Sequence, residues 1–168
     1  DKIKEDIVRE QKTRHLYFIG HSLGAAMATI IASRCNGDQI IKSPVALHTF
    51  GSPRVGWPSY INNFPMIHYR WVNNSDIVTR VPFYFMGYRH HGVCMYFNHW
   101  GNLRNIDGWQ RTKDVWRGII KGIQNLKFDS ISDHNPKEYI KHIKKLRDGE
   151  ETHQPTFVDN YASMYDRY

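Results

Sequence analysis

Cysteine is scarce: Cys35 and Cys94 are the only two in 168 residues and neither belongs to a CxxC pair, which excludes a disulfide framework. No stretch approaches the roughly 18 to 20 consecutive apolar residues that span a bilayer, and the opening Asp1-Lys2-Ile3-Lys4-Glu5-Asp6 has no signal-peptide core. Repeats and low-complexity blocks are lacking. So are RNP, finger and helix-turn-helix patterns, so nucleic acid is not an expected partner. An initiator Met is missing as well, which reads as a chain taken from something longer.

What is present is the composition of a folded protein, 40% hydrophobic, 14% aromatic and 23% charged, with a length suited to one domain or part of one. Lys plus Arg number 23 against 16 Asp plus Glu, a formal charge of +7. Such a charge favours anionic surfaces and also serves ordinary solubility.

Ile3, Ile7 and Val8 fall at helical spacing among charges, and Leu16-Tyr17-Phe18-Ile19 then forms a short apolar run ending at Gly20. The spacing predicts a helix followed by a buried strand. From Ser22 to about Arg34 the small residues predict a helix lying close against a sheet, stopped by Asn36-Gly37-Asp38. Residues 45–50 and 66–72 read as two further buried strands, each closed by a turn-rich stretch. Residues 83–100 are expected to include antiparallel or irregular strands, with 88–97 as strand. Helices are expected over 113–126 and 136–147, the second with Lys137, Lys141 and Lys144 on its outer face. Residues 1–149 would form the domain and 150–168 a loosely held tail. Strand, helix, strand, loop, strand is an α/β pattern.

Gly20-His21-Ser22-Leu23-Gly24 is GxSxG. It predicts a strand-to-helix turn sharp enough to demand glycine on either side of an exposed serine. The motif arises by chance in roughly one chain in twenty of this length, so its weight comes from the apolar run before it and the helix after it. A serine that merely caps the helix is the alternative. A nucleophilic serine needs a histidine base, which needs a carboxylate to fix its tautomer, in the order Ser, acid, His.

Asp76 is the strongest acid because it follows the apolar strand after a short Asn-rich turn, a strand end where α/β folds place functional groups. An Asx turn is its other reading, and Asp107 and Asp114 follow no such strand. Asn73-Asn74-Ser75 matches a glycosylation pattern, discounted because a glycan there would obstruct the acid. His134 is the strongest base: it follows Asp76 and sits in the polar Asp133-His134-Asn135 stretch ahead of the Pro136 helix. His153 stays a rival. His21, next to the serine, is expected to point elsewhere, and His48 and His68 are expected to pack inside strands. His90, His91, Cys94 and His99 fit no standard zinc spacing.

The sequence resembles the class 3, fungal-type lipase family in four segments taken in order: Gly20 to Ala26, Thr49-Phe50-Gly51-Ser52-Pro53-Arg54-Val55-Gly56, Asn74-Ser75-Asp76-Ile77-Val78 through Pro82, and Asp133-His134 followed by Tyr139. His90-His91-Gly92-Val93 is similar to a family strand segment, and Ala25 stands where members often carry glycine. The resemblance implies an α/β-hydrolase fold, a mostly parallel sheet with flanking helices, here with the N-terminal portion missing. It implies Ser22, Asp76 and His134 as a triad and the Leu23 backbone N–H as one oxyanion donor. It implies a lipid ester substrate of triacylglycerol lipase or phospholipase A1 type, contact with a membrane or lipid droplet, and neither metal nor organic cofactor. The family's early strands, second oxyanion donor and lid would precede Asp1. A lost donor costs about 100- to 1,000-fold in rate, so the stretch alone is expected to be poorly active. An acyltransferase using the same triad is one rival. A catalytically inactive lipase-like module that binds lipid or membrane through its lysine face is the other.

Overall fold

A computed structural model describes residues 2–104 and 132–149. Helix α1 (Lys2–Glu10) precedes strand β1 (Tyr17–His21), helix α2 (Leu23–Asn36) and strand β2 (Ala46–Phe50). The short helix α3 (Pro58–Asn62), which the sequence did not signal, leads to β3 (His68–Asn73), β4 (Val93–Phe97), β5 (Leu103–Arg104) and helix α4 (Pro136–Arg147). The strands form one sheet in chain order, β1 to β4 parallel and β5 antiparallel to β4. All four parallel strands therefore end at the same edge, where α/β proteins gather functional groups.

The small residues of α2 do what their spacing predicted. Ala25, Ala28, Thr29, Ala32 and Cys35 are its buried positions. Ala28 and Ala32 pack with Leu47, Phe64 and Met66, and Phe18 lies against them. On the sheet's other core cluster Trp71, Met95, Phe97 and Leu103 meet Tyr139, with Ile143 and Leu146 of α4 packed alongside. Lys4 clasps Asp38 at 2.6 Å and, with the amides of Ile40 and Ile41, holds that carboxyl down to about 2. Gln11 exchanges two hydrogen bonds with the Lys42 backbone, so the loop before β2 is tied to the end of α1.

Residues 83–100 differ from expectation. Tyr84–Met86 is a 3-10 turn, and the strand predicted over 88–97 contracts to Val93–Phe97, which runs parallel to β3. His90 and His91 are diverted: each donates through Nε2 to a backbone carbonyl, of Thr79 (2.8 Å) and Phe64 (2.7 Å) respectively. Gly92 follows at a φ of 77°. The helix expected over 113–126, the tail from 150, and the rivals Asp107, Asp114 and His153 lie outside the described residues.

Candidate active site

The chain leaves β1 through Ser22 at φ 58° and ψ −129°, a conformation that L residues adopt only under constraint. The serine caps α2 by position, yet its side chain makes no capping hydrogen bond. The turn is closed by the backbone: Ser22 N–H donates to the Phe50 carbonyl at 3.0 Å, continuing the β1–β2 ladder past the strand end. Gly20 is required, since a Cβ there would strike the Gly24 carbonyl and lie 2.7 Å from the Ala25 Cα. Gly24 is not required in the same way, because beyond its own helix a Cβ would meet nothing within 4 Å. The expectation that both glycines are sterically enforced is corrected accordingly. Leu23 opens α2, where helix geometry gives its amide no intrahelical acceptor, whereas the Ala25 N–H of the same turn is already bonded to the Ser22 carbonyl at 3.0 Å.

The serine hydroxyl lies 2.7 Å from His134 Nε2, and His134 Nδ1 lies 2.9 Å from Asp76 Oδ2 and 3.0 Å from Oδ1. A carboxylate only accepts, so Nδ1 carries the proton and Nε2 accepts from the Ser22 hydroxyl. Asp76 is fully buried and also serves its own turn, with Oδ1 accepting from Val78 N–H at 2.9 Å. The Asx-turn reading and the partner-to-histidine reading thus hold together. Asn73 is buried and spends its amide on the Asp133 carbonyl, which is why the glycosylation pattern there carries no weight.

Four residues complete the arrangement without having been marked for it. Tyr139 hydroxyl donates to Asp76 Oδ2 at 2.6 Å and accepts from Asn73 N–H at 3.1 Å. Burial first, then the Asp76 charge and that hydrogen bond, push the phenol far above its ordinary range, so it stays a donor. Asp133 Oδ2 accepts from Asn74 Nδ2 and Ser75 N–H at 3.0 and 3.1 Å, fastening the acid loop to the base loop. Gly51, at φ 57°, stands so close that a Cβ would come within 2.8 Å of both Asp76 Oδ2 and His134 Nδ1. His21 is not positioned as a base, but it reaches across: its Nε2 donates to the His134 carbonyl at 2.9 Å, and its ring stacks on the His134 ring at 4.6 Å. All four stand inside the segments that carried the family resemblance, but their roles are contacts between segments far apart in sequence, which no local pattern announces.

Two further histidines, His68 and His91, are paired with each other. His91 Nε2 donates to Phe64, so its Nδ1 accepts from His68 Nδ1 at 3.0 Å, and His68 Nε2 in turn accepts from the Thr49 hydroxyl at 2.8 Å. Burial is the first cause holding all three of His68, His90 and His91 low, His68 down to about 2. His48 stacks on Tyr69, and His99 meets Trp100 edge-on. Among the described residues no three His, Cys, Asp or Glu side chains form a group able to hold a metal.

The model of the family described as "Lipase (class 3)" matches residues 1–86. A secreted mono- and diacylglycerol lipase of Fusarium solani is 39% identical over 113 residues, 64% of this chain and 30% of that protein. Toxin TseL of Vibrio cholerae is 39% identical over 72 residues, 42% of this chain and 11% of that protein. The chain therefore spans less than a third of the length of these curated relatives. The solved structure of Rhizomucor miehei triacylglyceride lipase shares the fold, with a TM-score of 0.59 and 23% identity over 80% of this chain and 52% of that one.

Proposed function

The chain belongs to the class 3 lipase family, and from that premise we propose that it carries the nucleophile, acid and base of a serine hydrolase acting on carboxylic esters of lipids. Ser22 is the nucleophile, His134 the base and Asp76 the group that fixes the imidazole tautomer. As Ser22 Oγ attacks the acyl carbonyl, its proton passes to His134 Nε2. The Leu23 amide, at the positive end of α2, donates to the developing oxyanion. His134 returns the proton to the departing alcohol, leaving an acyl-enzyme. Water then gives a proton to His134, attacks the acyl carbon, and the fatty acid leaves as Ser22 recovers its hydrogen.

One observation carries this reading: the unbroken contact from Ser22 through His134 to a buried Asp76, at 2.7 and 2.9 Å, mounted on a strand-to-helix elbow. The substrate class takes support from relatives described as mono- and diacylglycerol lipases; triacylglycerols and phospholipids cleaved at the first acyl position extend the same chemistry. No step calls on a metal or organic cofactor.

Labelling of the full-length protein with a fluorophosphonate probe tests the roles. Ser22→Ala and His134→Ala should each abolish labelling and lower ester turnover by about 10⁴-fold or more. A folded protein that neither labels nor cleaves short-chain p-nitrophenyl esters would leave a lipid-binding module without catalysis. Acyl transfer to an added alcohol, in preference to water, would convert the reading to a transferase.

A further inference from the structure

From Ile77 to Ile106 the sequence contains no Asp or Glu but carries Arg80, Arg89 and Arg104. Inside that stretch the 3-10 turn Tyr84–Met86 pushes large apolar side chains outward: Phe83 is 41% exposed, Tyr84 52%, Phe85 74% and Met86 51%. Trp57, 59% exposed, joins them from the loop entering α3. Its ring lies against Gly87, 3.4 Å from where a Cβ would stand.

This knuckle is well held. Met86 and Gly87 amides donate to the Phe83 and Tyr84 carbonyls at 3.0 Å, and the Phe83 and Phe85 rings stack at 5.4 Å. The Arg89 guanidinium lies 3.4 Å over the Tyr84 ring and donates to the Tyr84 and Tyr88 carbonyls at 2.9 Å. Arg89 N–H binds the Gly56 carbonyl at 2.7 Å, fixing the knuckle to the loop that carries Trp57. The apolar side chains are thus presented by a bonded backbone, so seating them in an apolar medium costs little ordering entropy.

We propose that this aromatic knuckle is a docking surface for anionic phospholipid membrane. Exposed Trp, Tyr and Phe beside arginine is the side-chain set that settles at the headgroup level of a bilayer. The charge is of one sign: Arg54, Arg80 and Arg89 carry it, and with the buried Arg70 nearby they are close enough that burial and the other three guanidiniums hold Arg54 down to about 10. A protein partner would need acidic groups to match this rim, whereas phospholipid headgroups provide them throughout. The choice of lipid rests on the lipid-ester reading above. The knuckle also continues the acid loop, since Thr79 hydroxyl donates to the Asp76 carbonyl at 2.8 Å and Arg54 Nη1 bridges the Arg80 and Pro82 carbonyls. A bilayer engaged here lies beside the segment that bears Asp76.

Docking is measured with the full-length protein carrying Ser22→Ala, so that lipid is not consumed and binding is read independently of hydrolysis. Co-sedimentation is compared for vesicles of phosphatidylcholine alone and mixed with phosphatidylglycerol. The protein should bind the mixed vesicles, less tightly as salt rises. Phe85→Ser with Met86→Ser should weaken that binding about tenfold or more, from the apolar area no longer buried, without lowering the thermal midpoint. Arg80→Glu should weaken binding to mixed vesicles and leave binding to phosphatidylcholine unchanged. In the protein with Ser22 intact, the Phe85→Ser, Met86→Ser variant should keep its fluorophosphonate labelling. Binding that survives the double variant, or that vanishes only with Lys137→Glu and Lys144→Glu on α4, overturns the assignment. Loss of labelling in the unsubstituted protein would sink the hydrolase reading while leaving the vesicle result standing.

Discussion

Gly51 illustrates what a single residue decides. At φ 57° it occupies the left-handed region, and the space a side chain would fill is already taken by Asp76 and His134. Gly51→Ala should therefore do two things. It should cost about 1 kcal/mol or more in stability from the backbone, and displacing the imidazole should lower kcat about 100-fold. Thermal melting and turnover of a soluble ester separate the two: a lower melting point with unchanged kcat would mean that the glycine answers only to its backbone. Arg70 is a contrasting case. It is buried, its Nε has no hydrogen-bond partner among the described residues, and nothing in its sequence neighbourhood distinguished it from any other strand residue. The sequence did single out Ser22, because the elbow is local: the glycine that must stay small sits two residues before the serine and meets an atom only four residues further on.

At the scale of elements, α4 acts as a brace for the acid and base loops. Its N-cap Asn135 accepts from Lys137 N–H at 3.0 Å and Pro136 opens the first turn. One turn in, Tyr139 joins the helix to β3 through Asn73 N–H and to Asp76 through its hydroxyl. Tyr139→Phe keeps the ring in its cluster but strands a buried amide, which should cost about 1 to 3 kcal/mol on urea unfolding. With one donor gone from the carboxylate, kcat should fall about tenfold while KM stays within about twofold. Unchanged kcat would reduce Tyr139 to a packing residue. The amphipathic pattern of α4 was readable from Tyr139, Ile140, Ile143 and Leu146, although Ile140 is 54% exposed. The hydroxyl's partners were not readable, since periodicity reports which face is buried and says nothing about the polar atom at its end.

For the whole molecule, the chain Thr49, His68, His91 and Phe64 links β2, β3, the loop before β4 and the loop after α3 through buried neutral imidazoles. The sign of its pH dependence follows directly. Both histidines have folded-state values below the ordinary one, His68 down to about 2, so the unfolded chain binds protons that the folded one refuses. Stability is fully present above the unfolded value near 6.5. It is lost as pH falls through it, by about 1.4 kcal/mol per pH unit for each histidine that stays neutral when folded. Urea midpoints measured between about pH 7.5 and pH 5 should decline accordingly; a flat profile would show that these imidazoles are solvated. By itself the sequence determined the α/β pattern, the elbow with its serine, and the candidates Asp76 and His134, because apolar runs, small-residue helices and tight turns are properties of neighbouring residues. Tertiary structure alone decided that His134, 112 residues beyond Ser22, stands 2.7 Å from it, that His21 and Asp133 hold its loop, that Gly51 leaves it room, and that the aromatic run after Pro82 folds into an exposed knuckle. Those outcomes depend on strand register and on the docking of α4 across the sheet, which bring together side chains that no local pattern couples.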